Sequence, residues 1–358
     1  MTTGRLQGSV RVVGAGLIGT SIGLALSKLG VQVTLTDTSP ANIRLATDYG
    51  AGTPASENDH PNLIVVCVPP DVTASTVRSE LANFPDAIVT DVASVKAPIL
   101  DELAAAAADL TRYVGSHPMA GREKGGAASG RADIFVARPW VIATQPEASA
   151  KAIQLVEQLA LDLEAVPIRM TPLEHDRAVA LVSHTPQLVS SLLAARLVGS
   201  AGVELAGQGL RDTVRIAASD PKLWVQILGA NAPEIVSVLK SLEADLTRVI
   251  EALEDVSKPG ALATIDQTIA NGNRGVDTLP GKHGSRNSQY SNLVVMIGDQ
   301  PGELARLFNE IGEIGINVED LKLEHSPGAP IGLVEVSVIP SVGDRLVAEL
   351  TARGWRFA

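Results

Sequence analysis

Two side chains near the ends of β-branched runs have the chemistry expected of an acid–base site. His117 closes the run "RYVGSHP", and Ser94 follows the run "AIVTD". Histidine accepts a proton near neutral pH, so it could remove the O–H proton of an alcohol while hydride leaves the carbon. We predict that His117 is this base, because its strand-end position favours a site over a backbone-bonded structural histidine. Ser94 could orient the same hydroxyl group or cap the helix that follows.

A glycine-rich turn earlier in the chain has the spacing of a dinucleotide site. The segment "GAGLIG" places Gly14, Gly16 and Gly19 between a β-branched run and a helical pattern. Glycines at this spacing allow a tight turn, the approach of a pyrophosphate and close helix packing. The helix start at Leu17 and Ile18 would supply unpaired N–H groups to the phosphates.

An acidic residue at the end of the next strand selects between the two nicotinamide cofactors. Asp37 has the spacing of an acid that hydrogen-bonds the adenosine ribose. Because its carboxylate would repel the 2′-phosphate of NADP, we predict NAD as the cofactor. We also assign Val68 and Pro69, at the end of "LIVVCVP", and Ser94 to the cofactor site. A glycine turn without cofactor is the alternative, and the complete strand–turn–helix–strand–acid order counts against it.

Polar residues interrupt the apolar patterns on either side of the predicted helical region. Thr171 and Glu174 have the spacing of a capping box. His175 and Asp176 could therefore belong to a capped first turn or to the site. Lys96 could lie on a solvated helix face or near Ser94 in the site.

Further along, three polar residues share one helical side by their spacing of three and four. Ser183, His184 and Gln187 could face a substrate or a neighbouring helix. Arg215 lies between apolar residues in "TVRIAA", and an arginine drawn inward needs an anion. Asp212 or a substrate carboxylate could provide that anion.

The elements that must position these residues fall into successive regions. Residues 9 to about 170 alternate β-branched runs with helical patterns, which predicts a parallel sheet with helices on both faces, a Rossmann-type α/β domain. The next region has helical spacing without strand alternation, and the tail has the pattern of a small α+β module. We predict an NAD-binding domain at residues 1–171 and an all-helical substrate and dimerisation domain at 172–282. A linker at 283–290 and an α+β domain at 291–358 follow.

Composition narrows the classes of partner. Forty acidic against 29 basic residues give a net charge of -11, which would repel nucleic acid. We predict no membrane segment, because no apolar run approaches ~18 residues, and no metal site. The single cysteine, Cys67, lies in an apolar run, which agrees with a reducing compartment and a cytoplasmic protein.

Six motifs, in this order and spacing, resemble the prephenate dehydrogenase family of tyrosine biosynthesis. They are "GAGLIGTS", "DVASVK", "GSHPMAGRE", "TPLEHD", "SHTPQ" and "RDTVRIAASDPKLW". The resemblance spans residues 9 to about 282, and the segment from "DQPGEL" onward is similar to the ACT-type, ferredoxin-like regulatory domain of some members. It implies a homodimer that carries out the NAD-dependent oxidative decarboxylation of prephenate to 4-hydroxyphenylpyruvate and CO2.

The resemblance also implies roles for individual residues. His117 would accept the C4 hydroxyl proton, and Ser94 would hydrogen-bond both His117 and that hydroxyl. Arg215 and His184 would hold a substrate carboxylate. Gln187 stands where many members that use prephenate have a histidine, so arogenate, or both substrates, is the alternative.

In the tail, the resemblance implies a binding site for an amino acid effector. We predict L-tyrosine, bound by residues that match positions used in such domains: Asp299, Pro301, Gly302, Gly315 and Asn317. A module that only dimerises is the alternative.

Two other functions compete with this interpretation. A β-hydroxyacid dehydrogenase would use a helical lysine, but Lys222, Lys240 and Lys258 lie in no such motif. A non-catalytic sensor of NAD and amino acids would not require His117 together with Ser94.

Overall fold

The structure is a computed structural model that describes residues 4–121, 125–279, 290–325 and 331–358. The chain forms two compact units, of which the first comprises Met1–Ala201 with Thr213–Ser241. The second comprises Gly202–Asp212 with Leu242–Ala358. This division splits the predicted helical domain, so the domain boundaries stay a prediction. Except for Tyr290, the predicted linker lies outside the described residues.

An eight-stranded sheet forms the centre of the first unit, in the order β3-β2-β1-β4-β5-β6-β7-β8. Strands β1 to β6 run parallel, so their carboxyl ends meet at one edge. The strands are β1 (Val10–Val13), β2 (Val33–Thr36), β3 (Thr53–Pro54), β4 (Leu63–Val66), β5 (Ile88–Asp91), β6 (Tyr113–Pro118), β7 (Pro139–Ala143) and β8 (Val166–Met170).

The last two strands depart from the predicted parallel sheet. Strand β7 runs antiparallel to β6, and β8 runs parallel to β7. A parallel neighbour requires a crossover connection, which is usually a helix. Among the described residues between β6 and β7, the helical structure is a short 3-10 turn, Ala127–Ser129, so the all-parallel prediction is wrong here. Strand β8 was not predicted, because its residues are mostly exposed and lack an apolar run.

Helices cover both faces of the sheet, as predicted. They are α1 (Leu17–Lys28), α2 (Pro40–Asp48), α3 (Pro70–Asn83), α4 (Ala97–Ala105) and α5 (Ala150–Asp162). Alternate strand residues enter different cores: Val12 belongs to the cluster that contains Leu26, and Val13 to the cluster that contains Leu103. Each fully buried side chain of this size contributes about 1.5–3 kcal/mol to folding, so the two cores fix the edge that carries the site.

The predicted all-helical region is confirmed. It contains α6 (Pro172–Val179), a π-helical turn (Ala180–His184), α7 (Thr185–Ala195), α8 (Gln208–Val214), α9 (Pro221–Ala230), α10 (Ala232–Glu254) and α11 (Ala261–Val276). Helix α6, the π turn and α7 follow one another without a break. The capping box of Thr171 and Glu174 begins this stretch, as predicted.

This continuous stretch also has the length and hydropathy of a membrane span. Residues 172–195 form 24 helical residues, and an 18-residue window within them has a mean hydropathy of 1.3, the one such stretch in the described part of the chain. The stretch is not one apolar run, because polar residues interrupt it. The stretch contains the buried polar residues His175, Asp176 and His184, and 33% of its apolar window is buried inside the protein.

The second unit ends in a small α+β domain with the order βαββαβ, which is the ferredoxin-like arrangement. Its elements are β9 (Ser291–Gly298), α12 (Glu303–Ile314), β10 (Asp320–His325), β11 (Ile331–Val338), α13 (Pro340–Ala352) and β12 (Arg356–Phe357). The antiparallel sheet has the order β10-β11-β9-β12. This confirms the predicted elements, although α13 begins at Pro340 rather than Asp344.

Candidate active site

The glycine turn lies between β1 and α1, and its three glycines meet different surroundings. Gly14 has a φ of +103°, and a Cβ there would lie 2.4 Å from the carbonyl oxygen of Cys67. A Cβ on Gly19 would lie 1.9 Å from the carbonyl oxygen of Gly14. A Cβ on Gly16 would meet no described protein atom within 4 Å. The fold therefore requires the first and third glycines, whereas the second leaves open space for a bound group.

The open space lies at a helix start suited to phosphate. Helix α1 begins at Leu17, and within the described residues no side chain caps it, so the N–H groups at Leu17 and Ile18 face no capping oxygen. Asp37 follows β2, and its carboxylate accepts hydrogen bonds from the N–H groups of Ala15 and Ser39, each at 2.7 Å. These bonds hold the acid beside the glycine turn. The residues therefore match a dinucleotide, with pyrophosphate at α1 and ribose at Asp37.

The end of β4 lies next to the same turn. The Cγ1 atom of Val68 is 3.3 Å from the position that a Cβ on Gly14 would take. Pro69 precedes α3 and is exposed. Both predicted positions therefore lie at the edge of the sheet that carries the glycine turn, and their contacts with a cofactor stay a prediction.

His117 lies near the carboxyl end of β6, at this same edge, and starts a chain of hydrogen bonds. Its Nδ1 is 2.9 Å from Nε2 of His175, and the two rings meet edge to face. The Nδ1 of His175 is in turn 2.7 Å from Oδ1 of Asp176. The structure thus brings together the predicted base and the two residues for which a site role was left open.

The chain of bonds determines which nitrogen of His117 is basic. A carboxylate only accepts, so Nδ1 of His175 carries the proton and donates to Asp176. The other nitrogen of a neutral His175 then accepts, so Nδ1 of His117 must donate to it. The free lone pair of His117 is therefore on Nε2, the nitrogen that remains for an incoming proton.

The surroundings keep both rings neutral. Desolvation lowers the pKa of His117 well below its ordinary value, and the nearby His175, Lys96 and His184 lower it further. Burial likewise lowers the pKa of His175, although the hydrogen bond to Asp176 opposes this shift. His117 is therefore in its base form at neutral pH.

Asp176 also caps α4, a role that the sequence suggested for Ser94. Its Oδ1 and Oδ2 accept hydrogen bonds from the N–H groups of Lys96 and Ala97, both at 2.8 Å. Ser94 is partly exposed in the turn between β5 and α4. The capping alternative for Ser94 is therefore wrong, and its predicted contact with substrate stays a prediction.

Lys96 is buried, so the solvated-face alternative is wrong. Its side chain is 1% exposed and forms an ion pair with Asp91. Its Nζ donates to the carbonyl oxygen of Ser116 at 2.8 Å, and the Tyr113 hydroxyl donates to Asp91 at 2.7 Å. Desolvation lowers the pKa of Lys96, while the charge of Asp91 raises it. The network ties the ends of β5 and β6 together beside His117.

The helical part of the site centres on His184. This residue ends the π-helical turn and is 1% exposed. Its Nδ1 is 3.0 Å from Nδ2 of Asn231, and its ring meets Trp224 edge to face at 6.1 Å. Burial lowers the pKa of His184 to about 4. Such π turns often occur at functional sites. Neither the turn nor Asn231 was predicted from the sequence.

Gln187 and Arg215 differ in their exposure. Gln187 is buried, and its amide lies between the hydroxyl groups of Ser191 and Ser219, each at 3.4 Å. The short turn Arg215–Ala217 packs against α7, but the side chain of Arg215 is exposed. The expectation that Arg215 is drawn inward is therefore wrong, and its binding of substrate stays a prediction.

In the C-terminal domain, two predicted effector residues have structural explanations. Gly302 precedes α12 with a φ of +97°, and Gly315 follows α12 with a φ of +71°. Both are left-handed conformations that favour glycine. Asp299 and Pro301 lie in the exposed turn after β9, and Asn317 donates to Glu319 at 2.9 Å. Effector binding by these residues stays a prediction.

A dinucleotide cradle with a neutral histidine base at the same sheet edge defines a nicotinamide-dependent dehydrogenase. Comparison with known families specifies the class further. The family described as "Prephenate dehydrogenase, nucleotide-binding domain" matches residues 22–169, and "Prephenate dehydrogenase, dimerization domain" matches residues 171–267. The chain belongs to the prephenate dehydrogenase family. The predicted family, oxidoreductase class and NAD cofactor are confirmed.

Individual relatives agree with this assignment. "Probable prephenate dehydrogenase NovF" of Streptomyces niveus is 35% identical over 353 residues, 96% of this chain and 98% of the relative. Cyclohexadienyl dehydrogenase of Zymomonas mobilis is 28% identical, over 68% of this chain and 88% of the relative. The crystal structure of Aquifex aeolicus prephenate dehydrogenase with hydroxyphenyl propionate and NAD+ is 24% identical and shows the same fold, with a TM-score of 0.67 over 75% of this chain and 98% of that one.

Proposed function

We propose that the chain catalyses the NAD-dependent oxidative decarboxylation of prephenate to 4-hydroxyphenylpyruvate and CO2. The observation that carries this proposal is the chain from Asp176 through His175 to His117, which leaves Nε2 of His117 as a base at the same sheet edge as the dinucleotide cradle. When bound, NAD supplies the hydride acceptor. Residues of the glycine turn, the start of α1 and Asp37 would hold it.

In the proposed reaction, His117 takes the proton of the C4 hydroxyl as the C4–H bond breaks. The resulting carbonyl draws electrons from the C–C bond to the ring carboxylate, so CO2 leaves and the ring becomes aromatic. The oxygen is then a phenolate, which takes the proton back from His117 to give the phenol. The protein therefore needs chiefly to orient the ring and to accept one proton. Ser94 would hold the hydroxyl group, and His184 with Arg215 would hold the ring carboxylate.

The amide of Gln187 supports arogenate as a second candidate substrate. Prephenate carries a keto acid and arogenate an amino acid on the side chain, and a neutral amide can donate to the first or accept from the second. Its two hydroxyl neighbours, Ser191 and Ser219, are also able to do both. Among the described residues, Gln187 and these two neighbours therefore carry no charge that selects strictly for the keto acid.

The decisive assay is kcat/KM for prephenate and arogenate, each with NAD and with NADP. We expect NADH formation with prephenate and a clear preference for NAD over NADP. Gln187→His should shift the ratio of the two kcat/KM values toward prephenate by about tenfold, the effect of one hydrogen bond to a charged group. The proposal would be wrong if the purified chain formed NADH with neither substrate.

We further propose a cytoplasmic homodimer that joins through the helical region. The matched family description names a dimerisation domain, and α10 exposes Leu246, Ile250 and Leu253 at helical spacing on one side. These residues are 57%, 48% and 58% exposed, and a second copy would cover them. Sedimentation of the wild-type chain should give a dimer, and Ile250→Glu should shift it toward the monomer.

L-tyrosine is the proposed effector of the C-terminal domain. The βαββαβ order and the turn from Asp299 to Gly302 support this assignment. Tyrosine should inhibit the full chain more strongly than a chain ending near residue 279. Equal inhibition of both would assign any tyrosine effect to the active site instead.

A further inference from the structure

The protonated nitrogen of His184 determines how this residue meets a substrate. The ring is 1% exposed, and burial lowers its pKa to about 4, so it is neutral near pH 7. A neutral imidazole has one N–H donor and one bare nitrogen. The residue that bonds to Nδ1 therefore decides whether Nε2 donates or accepts.

Asn231 is that residue. It follows α9, is 2% exposed, and places Nδ2 at 2.8 Å from the main-chain carbonyl oxygen of Asp176. A carbonyl oxygen only accepts, so the amide group must turn its NH2 toward it. The same NH2 lies 3.0 Å from Nδ1 of His184 and has a second hydrogen to donate. The bare nitrogen of His184 is thus Nδ1, and the proton is on Nε2.

We propose that Asn231 is a positioning residue that holds His184 as the neutral Nε2–H tautomer. His184 then offers a donor to an anionic substrate group, the ring carboxylate under the proposed function, on which this part of the inference rests. His117 is held in the opposite tautomer, with a bare Nε2. The site therefore presents one acceptor for the hydroxyl proton and one donor for the carboxylate.

Both tautomers depend on Asp176. Its carboxylate directs His175 and through it His117, while its main-chain carbonyl directs Asn231 and through it His184. Replacement of the Asp176 side chain would disturb the first path and leave the carbonyl of the second in place. Replacement of Asn231 does the reverse, which makes it the cleaner test of His184.

The test measures the tautomer directly in the free protein. Side-chain ¹⁵N NMR of the full chain, labelled at its six histidines, distinguishes protonated from bare ring nitrogens. His184→Gln identifies the His184 signals. We expect a bare Nδ1 and a protonated Nε2 in the wild type, and a mixture of tautomers in Asn231→Leu. Asn273→Leu, at an exposed position of α11, is the matched control and should change nothing.

A protonated Nδ1 in the wild-type chain would overturn the inference even if Asn231→Leu failed to fold. An unchanged tautomer in a folded Asn231→Leu variant would overturn it as well. In kinetics, Asn231→Leu should raise KM for prephenate about tenfold, with kcat and the Kd for NAD nearly unchanged. A wild-type chain that lacks turnover refutes the proposed function, whereas the NMR result decides the role of Asn231 independently.

Discussion

Removal of the His175 ring is the most direct perturbation of the proposed base. In His175→Leu, Nδ1 of His117 loses its partner at 2.9 Å, and Asp176 loses one of its three acceptor contacts but keeps both bonds to α4. The fold at α4 should therefore persist. The main effect should fall on the protonated form of His117, which develops as the substrate proton arrives.

The expected magnitude follows from the bond that is lost. A hydrogen bond to a charged group contributes about 1.5–3 kcal/mol, and each 1.36 kcal/mol is tenfold in rate. We therefore expect kcat to fall by about 10- to 150-fold. Because His175 contacts His117 rather than the cofactor cradle, the Kd for NAD should stay within about twofold of the wild-type value.

The assay is steady-state NADH formation with prephenate, together with NAD titration and thermal unfolding. His60→Leu is the matched control, because His60 is an exposed histidine of the same unit. It should leave kcat unchanged. If folded His175→Leu kept wild-type kcat, the bond to His117 would have no part in proton removal and the tautomer argument for His117 would fail.

Three further predictions concern the cradle, the buried pair and pH. Gly16→Ala should weaken NAD binding without loss of stability, whereas Gly19→Ala should lower the unfolding free energy. The reason is that only the Cβ added at Gly19 meets protein atoms. Equal destabilisation by the two substitutions would refute this division of roles. Lys96→Met leaves Asp91 buried without its cation and should lower the unfolding free energy by about 3–5 kcal/mol, measured by denaturant unfolding. The double variant Lys96→Met, Asp91→Leu should recover part of this loss. The proposed base is neutral His117, whose pKa is lowered. The value of kcat/KM should therefore stay constant down to below about pH 6.5 and fall at lower pH. A fall in kcat/KM centred above pH 6.5 would contradict the assignment.

The same lowered pKa values have a consequence for stability. His117, His175 and His184 are neutral in the folded chain, while an unfolded histidine titrates near pH 6.5. Below about pH 6.5 the unfolded state therefore binds more protons than the folded state. The unfolding free energy should fall as the pH drops below this value, and a rise would contradict the sign of the shifts.

Local sequence rules predicted where the glycine turn, Asp37 and His117 lie in the fold. The three glycines and Asp37 have fixed spacing because one turn and two strands position them, and such short-range geometry is visible in a sequence. The position of His117 at a strand end follows from the same logic. These residues needed no knowledge of distant contacts.

Contacts between distant segments account for what the sequence did not predict. For Lys96 a solvated face stayed open beside a site position, because lysine is almost never fully buried unless it is paired and its partner Asp91 was not identified. Asn231 is 47 residues from His184, and only the packing of the end of α9 against the π turn brings them together. The reversed β7 likewise depends on a connection whose described residues form only a short 3-10 turn and no α-helix.

The carboxylate of Asp176 acts both as a helix cap and as a part of the candidate site. A cap binds main-chain N–H groups and fixes a helix start, and here that helix is α4, which follows the strand next to that of the base. A site residue orients a reacting group, and here that group is His117 through His175. Because one carboxylate does both, a shift of α6 relative to α4 would change the tautomer and the direction of the base together. Stability and proton removal are therefore coupled at Asp176, and a variant at this position should lose both in proportion, unlike His175→Leu, which separates them.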